Sequence, residues 1–298
     1  MGPPHRRFGY SPRWPLRARG ASTQEGLHYD AKFLGAEDRA ALLAYFQTLH
    51  PLWENRFSDV RPLPEGQQQR RLLRPVYWLG NWQFACLDYY RPPHGLWDRC
   101  VQAEPFPPVM AALVAKIEAI AHRMFPKGDV PAKWELNTCL VNFYGERLES
   151  GKWLDTARVG EHKDFEPGPV ASLSLGERAL FQFVKSSRPG EREGVVTQQW
   201  LDDGSLQIFG GDRWKKQLFH RVQRVDHRAG ITFDLRTEGF RTRRINLTFR
   251  YVPREHVQPV RALSAQARAD VDGYLKTLAA HSAHFAKALA EAPPPPSV

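Results

Sequence analysis

The stretch VGEHKDFEPGPVASLSLG, residues 159–176, holds an imidazole and a carboxylate two positions apart, His162 and Asp164, with Lys163 between them. On a β-strand residues i and i+2 point to the same side, so both groups can reach one ion while Lys163 points away. Two imidazoles and one carboxylate on one face of iron(II) form the 2-His-1-carboxylate centre of non-haem oxygenases, which leaves positions for other ligands. The pair alone does not identify such a centre, because His28-Tyr29-Asp30 has the same spacing. A distant second histidine is required. His220, in KKQLFHRV after the turn-like FGGDRW, is one candidate, and His227, seven residues on, is a rival. Spacing does not choose between them.

A third element is RRINLTFRYV. Alternation puts Arg244, Asn246, Thr248 and Arg250 on one face of a strand and Ile245, Leu247, Phe249 and Tyr251 on the other. Two arginines facing a barrel interior need anionic partners. A dicarboxylate with one acid group for each guanidinium would satisfy both through bidentate charged hydrogen bonds. The alternative is a solvent-facing strand with alternating charges.

The elements that must position these groups are legible in outline. GAEDRAALLAYFQTLH carries Leu42, Leu43, Tyr45, Phe46 and Leu49 at helical spacing, with acids in its first turn. Residues 106–125 repeat the pattern through Val109, Leu113, Ile117, Ile120 and Met124 after prolines suited to a first turn. From about residue 135 the chain turns to short β-rich runs separated by Gly, Pro, Asp or charge clusters, which predicts an antiparallel sandwich or barrel. Residues 264–291 read as helical again, and APPPPSV as a frayed tail.

The chain of 298 residues is 42% hydrophobic and 25% charged, enough to bury a sizeable core. Cys86, Cys100 and Cys139 lack the spacing of a disulfide framework or a zinc site, which suits a reducing cytosol. No apolar run is long enough to span a bilayer, so a soluble cytoplasmic protein with no membrane association is expected. The net charge is +10 and uneven: Arg6, Arg7, Arg13, Arg17 and Arg19 precede residue 20 with no acid among them. A second cluster of Lys and Arg runs from Arg213 to Arg228 against Asp226 alone. Such clustering suits a polyanionic partner.

Taken in order, LHYDAKFLGAEDRAALLAYF, VNFYGE, EHKDFEPGPVASLSLGERALFQF, LFHRV and RINLTFR resemble the AlkB family of iron(II)- and 2-oxoglutarate-dependent dioxygenases, over residues 27–252. The resemblance implies a mainly β chain with flanking helices (α+β) around a double-stranded β-helix, or jelly roll. It implies His162, Asp164 and His220 as iron ligands, since LFHRV resembles the distal histidine context of the family and the surroundings of His227 do not. It further implies that Asn142, Tyr144, Arg244, Asn246 and Arg250 hold 2-oxoglutarate, with O2 as the second co-substrate. The implied reaction hydroxylates an N-methyl carbon of a base, releasing formaldehyde, succinate and carbon dioxide.

Substrate recognition is the family's least portable part. WLGNWQFACLDYYRPP, residues 78–93, resembles its nucleotide-recognition lid, with Trp82 as the expected stacking residue and Tyr89 or Tyr90 as a second contact, the alignment fitting either. Glu166 stands where the family commonly has an acid that accepts from the exocyclic amine of the base, although Phe165 replaces a usual polar residue. Arg188 in SSRPGER is a candidate substrate contact. The expected organisation is a disordered basic tail over 1–25, a dioxygenase domain over 26–257, and a C-terminal helix with a Pro-rich tail over 258–298. The expected protein is a monomer acting on alkylated DNA or RNA. Rival readings keep the chemistry but move it to tRNA wobble bases or protein side chains, or make the chain a catalytically silent nucleic-acid-binding module.

Overall fold

The computed structural model describes residues 22–56, 70–83, 100–185, 194–223, 232–235 and 237–292. Two β-sheets form its centre. The strands that matter to the site are β1 (Leu27–Asp30), β2 (Val76–Leu79), β3 (Asn81–Gln83), β4 (Thr138–Glu149), β5 (Lys152–Asp155), β6 (Val159–His162), β7 (Val170–Gly176), β8 (Ala179–Val184), β9 (Val195–Leu201), β10 (Leu206–Phe209), β11 (Phe219–Gln223) and β12 (Phe240–Arg250). The larger sheet runs β1-β10-β7-β12-β4-β2, with Ser22–Gln24 at the β1 edge and β5 paired to β4. The smaller runs β6-β11-β8-β9. Successive strands therefore cross between sheets, as from β7 to β8 and from β9 to β10, which is the jelly-roll arrangement that the family resemblance implies and a form of the antiparallel sandwich or barrel predicted from the β-rich second half.

Alternation decides which groups face where. Ile245, Leu247 and Phe249 of β12 are fully buried in the main core, together with Val141 and Phe143 of β4 and Leu173 and Leu175 of β7. Helices α1 (Ala36–Phe46) and α2 (Pro108–Met124) contribute Leu42, Phe46, Leu113, Ile117 and Ala121 to that core. Pro108 opens α2, where a missing N–H costs nothing, and Glu37 and Asp38 stand in the first turn of α1. The opposite face of the large sheet carries polar groups, and a smaller cluster of Phe181, Phe183, Phe209, Trp214 and Leu218 fills the space between the sheets.

A β-bulge aims the two neighbouring arginines differently. Pairing of β12 with β4 shifts register between Thr242 and Arg244, and Gly145 is required beside the bulge because a Cβ there would overlap the Arg241 carbonyl. Arg243 goes to Glu146, Asp155 and Glu177 at 3.1, 3.0 and 2.9 Å, while Arg244 pairs across the strand with Tyr144.

The C-terminal segment differs from the single helix expected. It forms two helices, α3 (Ala265–Ala279) and α4 (Ala283–Ala290), because Ser282 interrupts the run and accepts the Phe285 amide as the cap of α4. Both helices belong to the main core through Val271, Leu275, Leu278 and Phe285, so residues 265–290 are not an appendage. Phe285 is 1% exposed. Phe285→Ala should therefore lower unfolding stability by about 3–5 kcal/mol in urea denaturation, the cost of a core aromatic truncation.

Candidate active site

His162 ends β6, and His220 lies directly opposite it on β11, with ring centroids 4.2 Å apart. Asp164 is not on the strand, as the alternation argument supposed, but on the loop just past it; the loop still returns its carboxylate to the histidines. One ligand atom from each of His162, Asp164 and His220 lies within 4.8 Å of the others, and among the described residues this is the one such cluster. All three are buried. His28 and Asp30, with identical spacing, sit on β1 away from any such cluster, and the Asp30 carboxylate accepts from the Lys32 amide. His227 lies outside the described residues.

The protonation state suits a divalent cation. The His162 Nδ1 lies 2.8 Å from the Gly160 carbonyl, which fixes the Nδ1–H tautomer and makes Nε2 the basic nitrogen. Burial, then the neighbouring His220, push the His162 pKa down to about 3, so this imidazole is neutral at physiological pH. Burial acts to raise the Asp164 pKa, but Arg250 and the two histidines outweigh it and hold the carboxyl well below its usual range. Asp164 Oδ1 accepts from Arg250 Nη2 and Nε at 2.7 and 3.0 Å, while Oδ2 faces His220 Nε2 at 3.3 Å. The neutral His162 imidazole and the ionised Asp164 carboxylate, oriented from behind by Arg250, together with the His220 ring opposite, fit iron(II).

The polar face of the large sheet leads away from this cluster. Asn142 pairs with Asn246 and Tyr144 with Arg244 across β4 and β12. The Asn246 amide donates to Ser172 Oγ at 2.8 Å and Arg244 Nη2 to Ser174 Oγ at 3.0 Å, both from β7. Arg244 is 3% exposed, its Nε has no hydrogen-bond partner, and its guanidinium carbon sits 4.9 Å from the centre of the Tyr144 ring. A buried guanidinium with an unused donor fits a carboxylate ligand. The expected one-to-one match of two arginines with two acid groups is altered at Arg250, whose fork is engaged by Asp164 and lies 3.4 Å from Glu166 Oε1.

Glu166 joins the site. It is 5% exposed, accepts from Gln83 Nε2 at 3.2 Å through Oε1, and has no hydrogen-bond partner at Oε2. Beside it Lys215, 8% exposed, donates to the carbonyls of Glu166 and Gly168 from a π-helical turn, Arg213–Gln217, that leads directly into β11. Lys215 therefore is not part of a basic surface, as its place in a cationic run suggested; its charge clamps the loop after Asp164. Lys216 is exposed and pairs with Asp212.

Trp82 requires the largest correction. At 1% exposure it is core: its indole N–H donates to Glu54 Oε1 at 2.7 Å, and Tyr274 and Phe285 meet it edge-on. No face of the ring is available to a base, because Tyr274 of α3 and Phe285 of α4 pack against it. Tyr89, Tyr90 and Arg188 lie outside the described residues. Sequence reading passed over Gln83 and Arg74. Period-2 alternation through Asn81, Trp82 and Gln83 is the signal that would have placed Gln83 opposite the tryptophan; an arginine in a loop offers no such signal.

The buried cluster can bind a cation, and Arg244, on the polar face of the large sheet, can bind a carboxylate. With O2, iron(II) and a chelated 2-oxo acid supply an oxidant able to hydroxylate an unactivated C–H bond. The chain's own groups orient that assembly: Arg250 holds Asp164, Gly160 sets the His162 tautomer, and Lys215 fixes the loop between Asp164 and Gly168.

The model of the 2OG-Fe(II) oxygenase superfamily matches residues 26–250. A protein of Arabidopsis thaliana described as DNA N(6)-methyladenine demethylase ALKBH1D is 31% identical over 121 residues, which is 38% of this chain. The matched region spans 24% of that relative's length. The solved structure of OsALKBH1 is 22% identical over 77% of this chain and all of that one, with a TM-score of 0.47. That of YcfD, a ribosomal oxygenase from Escherichia coli in complex with cobalt and succinic acid, is 13% identical over 61% of this chain and 46% of that one, with a TM-score of 0.25. With one family model spanning both sheets and every member of the His-Asp-His cluster, the chain belongs to the 2OG-Fe(II) oxygenase superfamily and is a dioxygenase that uses iron(II) and 2-oxoglutarate.

Proposed function

We propose that this dioxygenase is an AlkB-type enzyme that removes N-methyl groups from bases of DNA or RNA. Iron is held by His162, Asp164 and His220, and 2-oxoglutarate by Arg244 with Asn142, Tyr144 and Asn246. The observation that carries the substrate reading is Glu166. Its Oε1 is held by Gln83, while Oε2 is a buried acceptor without a donor, beside Asp164. An exocyclic amine of adenine or cytosine supplies such a donor; the carbonyl of thymine at the same position does not. The likeness to a plant DNA demethylase and the net charge of +10 support the same partner. Hydroxylation at the N-methyl carbon gives a hemiaminal, which breaks its C–N bond to release formaldehyde and return the proton to the base nitrogen.

The test is incubation with iron(II), 2-oxoglutarate and oligonucleotides carrying 1-methyladenine, 3-methylcytosine or N6-methyladenine, read by mass spectrometry. Loss of the methyl group from at least one is expected. Glu166→Ala should lower kcat/KM on that oligonucleotide by roughly ten- to a hundredfold, from a charged hydrogen bond worth about 1.5–3 kcal/mol. Its uncoupled conversion of 2-oxoglutarate to succinate should persist. Succinate formation with every methylated oligonucleotide unchanged would move the substrate to a protein side chain or a small molecule.

A further inference from the structure

The 2-oxoglutarate pocket holds one more cation than the co-substrate's distal carboxylate needs. Arg74, in the bend just before β2, is 7% exposed, and its Nε donates to Asn142 Oδ1 at 2.7 Å. Its guanidinium carbon lies 5.0 Å from the centre of the Tyr144 ring, which Arg244 approaches at 4.9 Å. The two arginines thus share one phenol. Among the described residues no carboxylate pairs with Arg74, and Arg244 reaches only the Ser174 hydroxyl and Tyr144. The acids of this region, Glu146, Asp155 and Glu177, are occupied by Arg243.

Two buried guanidiniums on one aromatic ring repel each other and carry a large desolvation cost unless an anion joins them. Burial foremost lowers the Arg244 pKa from its ordinary value; Tyr144 and, less, the charge of Glu177 oppose this, and the charge of Arg74 adds to it. At the other end of β12, Arg250 is committed to Asp164 beside the metal ligands. The cluster of Arg74, Tyr144 and Arg244 therefore marks the end of the pocket remote from the metal.

We propose that Arg74 is a positioning and specificity residue for the co-substrate: it fixes the Asn142 amide and, with Arg244, makes the remote end of the pocket selective for a 2-oxo acid bearing a second carboxylate. Its hydrogen bond to Asn142 Oδ1 sets which end of this amide faces Arg74 and so orients its N–H groups. The proposal rests on the placement of 2-oxoglutarate at Arg244 made above.

The experiment measures binding rather than turnover. Zn(II)-loaded protein, kept free of iron, is titrated with 2-oxoglutarate and, by competition, with 2-oxopentanoate, which has a methyl group in place of the distal carboxylate. Wild type should prefer the dicarboxylate strongly. Arg74→Met should weaken 2-oxoglutarate roughly tenfold, about 1.4 kcal/mol, and leave 2-oxopentanoate unchanged, so that the preference shrinks. Arg74→Lys, which keeps the charge and is the safer variant to fold, should recover part of it. Arg244→Met serves as the control: if it erodes the preference while both Arg74 variants keep the wild-type ratio, the proposal for Arg74 is overturned and the pocket stands. If Arg244→Met also leaves the ratio intact, the placement of the co-substrate is itself wrong. Equal weakening of both ligands by Arg74→Met would overturn the proposal by reducing Arg74 to a structural support.

Discussion

His162→Ala and His220→Ala should each abolish conversion of 2-oxoglutarate to succinate, while His28→Ala leaves it near the wild-type rate. Each of the first two removes one of three ligand atoms that lie within 4.8 Å of one another, and two remaining ligands do not hold iron(II) at working concentrations. His28 has the same spacing to an aspartate, but among the described residues it belongs to no such cluster of ligand atoms. Asp164→Ala should be equally inactive for a less clean reason. It leaves Arg250, which is 6% exposed, without the carboxylate that receives both its Nε and Nη2. Breaking a buried pair from one side costs about 3–5 kcal/mol of stability. The two histidine variants should therefore keep a near-normal urea midpoint, and the aspartate variant should not. Succinate quantified by mass spectrometry, alongside that midpoint, checks both statements.

The second large effect is expected at Arg244. Arg244→Leu should raise the dissociation constant for 2-oxoglutarate roughly ten- to a hundredfold, because a carboxylate loses charged hydrogen bonds worth about 1.5–3 kcal/mol. Folding should survive, since the wild-type guanidinium reaches only a serine hydroxyl and a phenol and keeps a donor unused. Arg250→Leu is not its equivalent despite the alternation that makes the two look paired. Removing Arg250 strands the Asp164 carboxylate, so the variant should lose stability without metal and regain part of it when a divalent cation is added. Calorimetric titration of 2-oxoglutarate and thermal unfolding with and without Zn(II) separate the two cases.

What the sequence disclosed follows from periodicity. The strand that became β12 was legible because apolar and polar residues alternate over its whole length, and the two N-terminal helices because their apolar residues recur at helical spacing. Those signals report one face of one element. They say nothing about what covers that face. The resemblance of residues 78–93 to a nucleotide-recognition lid makes Trp82 a stacking platform, yet a stretch dense in aromatics is equally the mark of a core, and the helices that bury it lie almost two hundred residues downstream. Lys215 was counted with a cationic surface because its neighbours in sequence are exposed bases; the π-helical turn, which local composition does not reveal, turns it inward to two carbonyls. The break at Ser282 was readable in principle as a serine cap before an apolar run. Arg74 was not: a loop arginine becomes informative only when the fold brings it to Tyr144.

The central claim is that His162, Asp164 and His220 bind one iron(II), on which 2-oxoglutarate chelates with its far carboxylate at Arg244. Anaerobic titration of the iron(II) protein with 2-oxoglutarate, followed by visible absorption, tests it most directly, because a 2-oxo acid chelated through its keto and carboxylate oxygens gives iron(II) a charge-transfer band. The band should saturate at one 2-oxoglutarate per chain, be absent in His220→Ala, and need roughly ten- to a hundredfold more 2-oxoglutarate in Arg244→Leu. A band that formed normally in His220→Ala, or that saturated at the wild-type concentration in Arg244→Leu, would contradict the account.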